Sequence, residues 1–514
     1  MKKYILNILL ASSMLSFSGC SDNMLDLTSP DEETSANFWK DTKAAEAGLA
    51  TAYSQIESSN GSYYLGEVRF TVEPFREDII IPGPDANGYP DWMQLANFTY
   101  DFGNTQLIVY WEDNYRGIMH ANQVIEKVAT IPDIDAGYQK QIIAEATFLR
   151  GYYHLKLLLN WERIIIRDVY ITKEDQLDKG VSPRIEAWDF IMADLEAASK
   201  VLPLKQTAER QGRVTQGTAY AYLGYAYLTR AYEEPGKKAE YLNKAEECFK
   251  QVQGYRLIED PLSMFNGTNK NSEESIFEIQ FTDNTAGGAN YRHYLHKFVA
   301  CTQLEGWGCI RPSKMLLDEF KKEGKIATTG RYDTRAYKTL FFKDDYYSDP
   351  STEMVYGSKF EDVFTDPNTE YIEFRKFIPA TMEDLQKARS AINVPLMRYA
   401  DVLLLLAETL NEQNRSSEAI PLINQVRERA DMPAMKGTSQ DEVRAQIEHE
   451  RIVEFALECT RFYDLRRWGK TKEALNAVGR TSFDPNSHNF YPIPQGEINS
   501  NIVLREQLAQ EKGN

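Results

Sequence analysis

A histidine and a glutamate in the C-terminal part of the chain begin a pattern that could hold zinc. His449-Glu450 matches the start of a zinc-protease helix, in which a second histidine lies four residues after the first. That fourth position is Val453. Two histidines one helical turn apart are what that metal site requires, so the sequence excludes it.

Carboxylates are abundant, but their arrangement does not predict catalysis. A glycoside hydrolase needs two carboxylates on either side of one bond in a cleft. The best candidates, Asp344, Asp345 and Asp349, lie in a Lys-Asp-Asp-Tyr-Tyr stretch that has the character of a solvated surface loop. The sequence has no Gly-x-Ser-x-Gly motif, phosphate-binding loop or dinucleotide fingerprint. We therefore predict a protein that is not an enzyme.

No cofactor is predicted either. Asp85-Ala86-Asn87-Gly88 begins like a calcium loop but lacks the glutamate at the required offset. A structural calcium ion is the only metal that this stretch suggests.

The cysteines exclude redox and zinc-ribbon chemistry, because no Cys-x-x-Cys pair exists. Cys248 and Cys459 fall on predicted helices and are expected to be buried thiols. Cys301 and Cys309 flank a Gly-Trp-Gly loop, and the sequence leaves open whether they form a disulfide, since spacing does not fix the geometry of a bridge.

The N-terminus has the features of a secretory signal. Lys2 and Lys3 precede an apolar run from Tyr4 to Leu15, and small residues lie immediately before Cys20. This order predicts a lipoprotein signal peptide over residues 1–19 and an acylated Cys20 that anchors the protein to a bilayer. No other segment reaches the roughly 20 apolar residues that a membrane span requires.

The chain is acidic. Its formal charge is −18, and −20 without residues 1–19, which contain two lysines and no acids. Nucleic acid is therefore not expected as a partner. An uncharged or cationic ligand suits this charge better than a polyanion, although a local basic pocket is compatible with uronic or sialic acid groups.

Apolar spacing predicts helical hairpins in most of the chain. Residues 403–426 match tetratricopeptide positions without a gap, and residues 220–252 match them with nine residues inserted in the turn. Two further pairs are predicted, residues 111–128 with 138–159 and residues 188–202 with 213–232. Their Tyr and Leu stripes are interpreted as core.

Between the hairpins the composition changes. Residues 65–105 are rich in Pro, Gly and Asp around the apolar run Ile79–Ile81, and residues 260–390 contain an alternating strand at 276–281 and loops rich in Tyr, His and Trp. Long loops of this kind commonly carry function.

The segment Ile447–Lys470 is predicted to be one helix with two faces. Arg451, Glu454, Glu458 and Arg461 recur at three- and four-residue steps, which we interpret as a structural ion-pair ladder. This segment, with Tyr491-Pro492-Ile493-Pro494-Gln495 near the end, resembles the SusD/RagB family of surface glycan-binding lipoproteins, and the resemblance extends from Cys20 to about Asn501.

The resemblance implies a mainly α fold, a tetratricopeptide-like α-superhelix with inserted loop-rich, partly β segments. It also implies an organisation along the chain: a signal peptide (1–19), a lipid-anchored tether (20–35), an N-terminal helical region (36–260), a variable loop and β segment that contributes to the ligand site (261–390), and a C-terminal helical region (391–514).

Within such a fold, exposed loop aromatics beside polar side chains are the expected sugar contacts, because sugar C–H groups stack on aromatic faces and hydroxyls pair with planar polar groups. Trp92 and Trp307 lie in loops outside the helical periodicity. The complete set of predicted ligand-binding residues is Trp92, Trp307, Tyr291, Tyr294, Arg292, Asp85 and Asn87.

The resemblance further implies an outer-membrane lipoprotein that faces the cell exterior and passes an oligosaccharide to a SusC-like TonB-dependent transporter. Two alternatives remain open at this point. The same fold could bind peptides, as RagB-like members do, or the helical repeats could form an adaptor that binds a protein and no small ligand.

Overall fold

The computed structural model describes residues 38–56, 65–284 and 291–513. The signal peptide, Cys20 and the tether lie outside the described residues. Helices dominate the described part. The helices of the N-terminal half are α1 (Thr42–Ser54), α2 (Leu65–Val72), α3 (Pro90–Asn97), α4 (Thr105–Val128), α5 (Ala136–Asn160), α6 (Arg184–Ser199), α7 (Gln216–Glu233) and α8 (Lys238–Lys250).

The second half of the chain has shorter helices. They are α9 (Leu295–Val299), α10 (Lys314–Lys321), α11 (Thr334–Thr339), α12 (Phe360–Val363), α13 (Met382–Gln386), α14 (Tyr399–Glu412), α15 (Ser416–Arg429), α16 (Gln440–Phe455), α17 (Arg461–Arg467), α18 (Thr471–Ala477), α19 (Pro485–His488), α20 (Gln495–Ser500) and α21 (Ile502–Gly513).

The predicted helical hairpins are confirmed. Helix α4 packs on α5, α6 on both α5 and α7, α7 on α8, and α14 on α15. The helices begin at side chains that satisfy free backbone N–H groups, such as Asn104 for α4 and the Ser439–Glu442 capping box for α16. The stripe along α5 is core, as predicted, because Phe148, Tyr152 and Leu155 are buried.

Three two-stranded antiparallel sheets lie among the described residues. They are β1 (Ile80–Pro82) with β3 (Ile310–Pro312), β2 (Ser275–Ile279) with β6 (Val394–Arg398), and β4 (Leu340–Phe342) with β5 (Ile372–Phe374). In register, Ile80 faces Pro312, Ser275 faces Arg398 and Leu340 faces Phe374. The main hydrophobic core runs from Ala45 to Leu504, so the inserted strands share one core with the helices.

The prediction of one continuous helix over Ile447–Lys470 is wrong. Helix α16 ends at Phe455 and α17 begins at Arg461, and between them Leu457 and Cys459 adopt left-handed backbone angles of φ 64° and 63°. The break exposes carbonyl groups, and the buried Lys376 ammonium donates to those of Glu454 and Ala456. A lysine distant in sequence thus stabilises a break that local periodicity does not indicate.

The charged ladder of this segment is structural, as predicted. Arg451 pairs with Asp401 and Asp464, and Arg461 pairs with Asp78. Glu454 and Glu458 both pair with the fully buried Arg398, which comes from the end of β6. Buried charges of this kind must be paired, so the ladder joins α16 and α17 to the strand that precedes α14.

None of the helices in the described ranges is both long enough and apolar enough to cross a membrane.

Candidate functional site

The two loop stretches that the sequence singled out lie side by side. Strand β1 pairs with β3, and the Gly83 N–H donates to the Cys309 carbonyl at 2.8 Å. A Cβ atom on Gly83 would lie 1.8 Å from the Gly308 carbonyl oxygen, so only glycine allows this approach. The pairing brings residues 84–92 close to residues 294–308.

The loop that carries Trp307 is held by its backbone. The N–H groups of Trp307, Gly308 and Cys309 donate to carbonyl groups of Lys297, Ala300 and Phe298. The buried Lys297 ammonium donates to the Glu305 carbonyl and, across the loop, to that of Leu385. These bonds fix the loop against α9 and α13 and so fix the direction of the Trp307 ring.

Trp307 is stacked on Tyr294. Their ring centroids are 5.6 Å apart with planes 26° from parallel, and both rings are half-buried. The Arg389 guanidinium lies 5.1 Å from the centre of the Tyr294 ring. Two of the predicted residues therefore form one aromatic unit with a cation beside it.

The expectation that Trp92 is an exposed loop ring is wrong. It lies within α3, is only 5% exposed and packs edge-on against Phe298 of α9. Tyr89, which the sequence reasoning missed, lies just before the helix, is 46% exposed and stacks on Trp92 with ring centroids 4.0 Å apart. Pro90 starts the helix. Its position in the sequence was the signal that could have shown that Tyr89 lies before the helix and Trp92 within it.

The other predicted residues lie on exposed or partly exposed parts of the same two stretches of chain. Asp85 and Asn87 are exposed on the 3-10 turn Pro84–Gly88. Tyr291 is 53% exposed, and Arg292 is partly exposed beside it. We call Tyr89, Tyr291, Tyr294 and Trp307 the aromatic surface.

A cavity of about 200 Å³ lies next to Tyr294. It is lined by side chains from the segments 266–283 and 379–392, among them Asn266, Thr268, Lys270, Asp283, Thr381, Asp384, Lys387, Arg389 and Ser390. We call this cavity the polar pocket. Isolated β-bridges of Thr282 with Tyr291 and of His293 with Ser390 connect its walls to the aromatic surface.

The histidines near the aromatic surface are structural. His293 Nδ1 accepts from the Leu295 N–H and its Nε2 faces the Ile392 carbonyl, which fixes a neutral tautomer. Burial lowers the pKa of His293 to about 3 and that of His296 to about 4. Neither ring is set up as a general acid or base near neutral pH.

The cysteines that flank the Trp307 loop are both buried and free, so the disulfide left open by the sequence does not form. Burial raises the pKa of the Cys301 thiol to about 12. A neutral, buried thiol is a packing group and not a nucleophile.

Comparison with known proteins fits this arrangement. A family model described as "SusD family" matches residues 273–513, and one described as "Starch-binding associating with outer membrane" matches residues 84–228. The chain belongs to the SusD family.

Relatives resemble it along nearly the whole chain. SusD-like protein P2 of Formosa agariphila is 28% identical over 534 aligned residues, which cover 98% of this chain and 99% of that protein. A crystal structure of a SusD superfamily protein from Bacteroides vulgatus matches with a TM-score of 0.78 and 25% identity over 91% of this chain and 98% of that one.

Surface glycan-binding protein A from Bacteroides thetaiotaomicron, solved in complex with laminarihexaose, matches with a TM-score of 0.71 and 20% identity over 90% of this chain and 98% of that one. The mainly helical SusD-like fold predicted from the sequence is thus confirmed.

A second, larger cavity of this SusD-family chain is less suited to sugar. It has a volume of about 860 Å³, and no Trp, Tyr or Phe lines it. Two of its cations, Lys470 and Arg461, are already paired with Glu448 and Asp78. The aromatic surface and the polar pocket are therefore the better candidate site in this SusD-family protein.

Glu323, His449 and Glu450 are the one group of candidate metal ligands found among the described residues. Arg427 already donates to both glutamates. His449 faces Glu319 through Nδ1 and Glu323 through Nε2, at 2.7 and 3.3 Å. A guanidinium at the centre of the group opposes a second cation, so the donor set does not fit a metal ion.

Proposed function

We propose that this chain is a non-catalytic, glycan-binding lipoprotein of the outer membrane that holds an oligosaccharide on the aromatic surface. The observation that carries the proposal is the stacked Tyr294–Trp307 pair beside the polar pocket. Sugar rings would lie against the aromatic faces, while amide, hydroxyl and charged groups of the pocket pair with their hydroxyls.

The relatives support this function. One neighbour in structure is described as a laminarin-binding SusD-like protein and another was solved with laminarihexaose. One of the matching family models describes starch binding and association with the outer membrane. The arrangement of the site agrees with holding a ligand, since its histidines are neutral and its thiols are buried.

The proposal includes two further steps. Acyl chains on Cys20 would anchor the protein, facing the cell exterior, and a SusC-like TonB-dependent transporter would receive the glycan from it. Binding without cleavage suits this role because a captured oligosaccharide must leave intact.

Titration calorimetry tests the capture step. The protein without residues 1–20 is titrated with plant, microbial and host oligosaccharides and with peptides, and sugar composition is checked before and after. We expect a Kd between micromolar and millimolar for one glycan class, which corresponds to about 4 to 8 kcal/mol, and an unchanged product profile.

Trp307→Ala and Tyr294→Ala are expected to weaken that binding about tenfold or more, as truncation of aromatic anchors does in other binding sites. Phe102→Ala is the matched control, because Phe102 is an aromatic ring 50% exposed outside the aromatic surface. Heat with peptides alone would favour the RagB-like alternative. Silence with every ligand would favour the helical adaptor.

A further inference from the structure

The polar pocket differs from the rest of this acidic chain in its charges. Three cationic residues, Lys270, Lys387 and Arg389, line it with two carboxylates, Asp283 and Asp384. The whole chain carries a formal charge of −18. Whether this local excess of positive charge is available to a ligand depends on which of the charged groups already pair with one another.

One cation is neutralised within the pocket. Lys387 Nζ donates to Asp384 at 2.6 Å, and the Thr381 hydroxyl donates to the other oxygen of the same carboxylate. This exposed pair contributes no net charge to a ligand. The other charged groups of the lining are Lys270, Arg389 and Asp283.

Lys270 is the group placed to meet a ligand. Its ammonium donates to one acceptor, the Phe281 carbonyl at 3.0 Å, and no carboxylate of the described residues forms a salt bridge with it. An ammonium has three donors. Burial lowers the pKa of Lys270 below its ordinary value, with Asp283 and Glu278 opposing the effect. The protein itself therefore compensates this charge only in part.

Arg389 connects the pocket to the aromatic surface. Its guanidinium lies over the Tyr294 ring, which in turn stacks on Trp307. Asp283 is exposed at the rim. An anionic group that enters beside Lys270 and Arg389 would thus belong to a sugar unit next to one stacked on the aromatic surface.

We propose that the polar pocket binds an anionic substituent of the glycan, a carboxylate or a sulfate, through Lys270 and Arg389. This inference rests on the proposed function and gives it a substrate class, the acidic oligosaccharides. Ammonium and guanidinium groups form charge-assisted hydrogen bonds with such oxygens, and these bonds are stronger than those between neutral groups. Because the rest of the chain is negatively charged, it repels an anionic glycan, so the attraction is confined to this pocket.

Matched pairs of oligosaccharides test the proposal. Oligogalacturonides and oligoguluronates are compared by calorimetry with the same chains after carboxyl reduction, and sulfated galactan oligosaccharides with their desulfated forms. Within a pair only the charge changes. We expect the anionic member of at least one pair to bind about tenfold or more tightly, with the preference shrinking between about 0.05 and 0.5 M salt. The pair that responds distinguishes carboxylate from sulfate.

Lys270→Gln should remove the preference, so that the anionic and neutral members bind within about twofold of each other. Detectable binding of both members also shows that the pocket has folded. Lys387→Gln is the matched control, because it removes the same charge from the same pocket at a lysine already paired with Asp384. Lys270→Arg should restore part of the preference.

Equal affinity for the members of every pair, or a preference that survives in Lys270→Gln, overturns the inference while glycan capture stands. Silence with both members of every pair also overturns the inference, whereas the proposed function falls only if every glycan of the wider panel is silent too.

Discussion

Tyr89 and Trp92 are three residues apart in the chain, and yet one ring faces solvent while the other is core. The difference arises where α3 begins. Pro90 opens the helix, so Tyr89 stays outside it and Trp92 turns inward onto Phe298. Because the two rings stack, the buried tryptophan supports the exposed tyrosine from behind.

Substitution of these two residues should therefore affect different properties, stability for Trp92 and glycan binding for Tyr89. Trp92→Ala is expected to lower the free energy of unfolding by about 3–5 kcal/mol, since it leaves a cavity beside Phe298. Tyr89→Ala is expected to change stability by less than about 1 kcal/mol and to weaken glycan binding. Urea unfolding and calorimetry measure the two quantities. A Tyr89→Ala variant that binds as tightly as the parent would remove Tyr89 from the aromatic surface.

At the scale of elements, α16 and α17 are held by charges that come from distant strands and helices. Arg398 at the end of β6 pairs with Glu274, Glu454 and Glu458, and each of the four side chains is at most 7% exposed. Lys376 satisfies the carbonyl groups freed between the two helices. Each of these contacts joins parts of the chain that are far apart in sequence, so the array stabilises the tertiary structure and not the helices alone.

Arg398→Ala should be strongly destabilising, because it removes the buried cation that Glu274, Glu454 and Glu458 share. The remaining cations, Arg335, Lys376 and Arg429, then compensate the three carboxylates only in part. We expect a loss of about 3–5 kcal/mol in the free energy of unfolding. Arg256→Ala is the control, since the Arg256–Glu273 pair is exposed on both sides and should contribute less than about 1 kcal/mol. Urea unfolding of both variants makes the comparison. If the two variants lost similar free energies of unfolding, burial would not be the reason why the ion pairs of Arg398 stabilise the protein.

The contact of α10 with α16 should be sensitive to acid. Hydrogen bonds from Arg427 lower the pKa of Glu323 to about 2. At Glu319 burial opposes the charge, but the hydrogen bonds and charges of His449 and Lys322 together outweigh it and lower the pKa to about 2. Their folded pKa values lie below the ordinary value of 4.5, so the stability they contribute is complete above about pH 4.5 and is lost as the pH falls toward 2.

Glu319→Gln with Glu323→Gln should accordingly reduce stability at pH 7 and flatten its decline between about pH 5 and 2. Thermal unfolding across that range measures the slope. Asp318→Asn, at an exposed carboxylate of the same helix, provides the comparison. If stability declined with falling pH as steeply in the double variant as in the parent, Glu319 and Glu323 would not be the source of the acid sensitivity.

At the scale of the whole molecule, the sequence predicted what local periodicity encodes. The hairpins from α4 to α8 and from α14 to α15 follow from apolar spacing within each helix. Contacts between distant segments were not predictable in this way. The break after Phe455 depends on Lys376, the burial of Trp92 depends on Phe298, and the polar pocket is assembled from segments about a hundred positions apart. Exposure and pocket charge are properties of the assembled chain.

The position of the molecule in the cell should depend on one residue outside the described part. Acylation of Cys20 would add several chains, each stabilising membrane attachment by about 0.8 kcal/mol per buried CH₂ group. We expect Cys20→Ser to abolish labelling with radioactive palmitate and to move the protein from the membrane fraction to the soluble one. Ser21→Ala, at the neighbouring position, should leave both unchanged. A Cys20→Ser protein that remains in the membrane fraction without label would show that contact with a membrane partner, and not the lipid, holds it there.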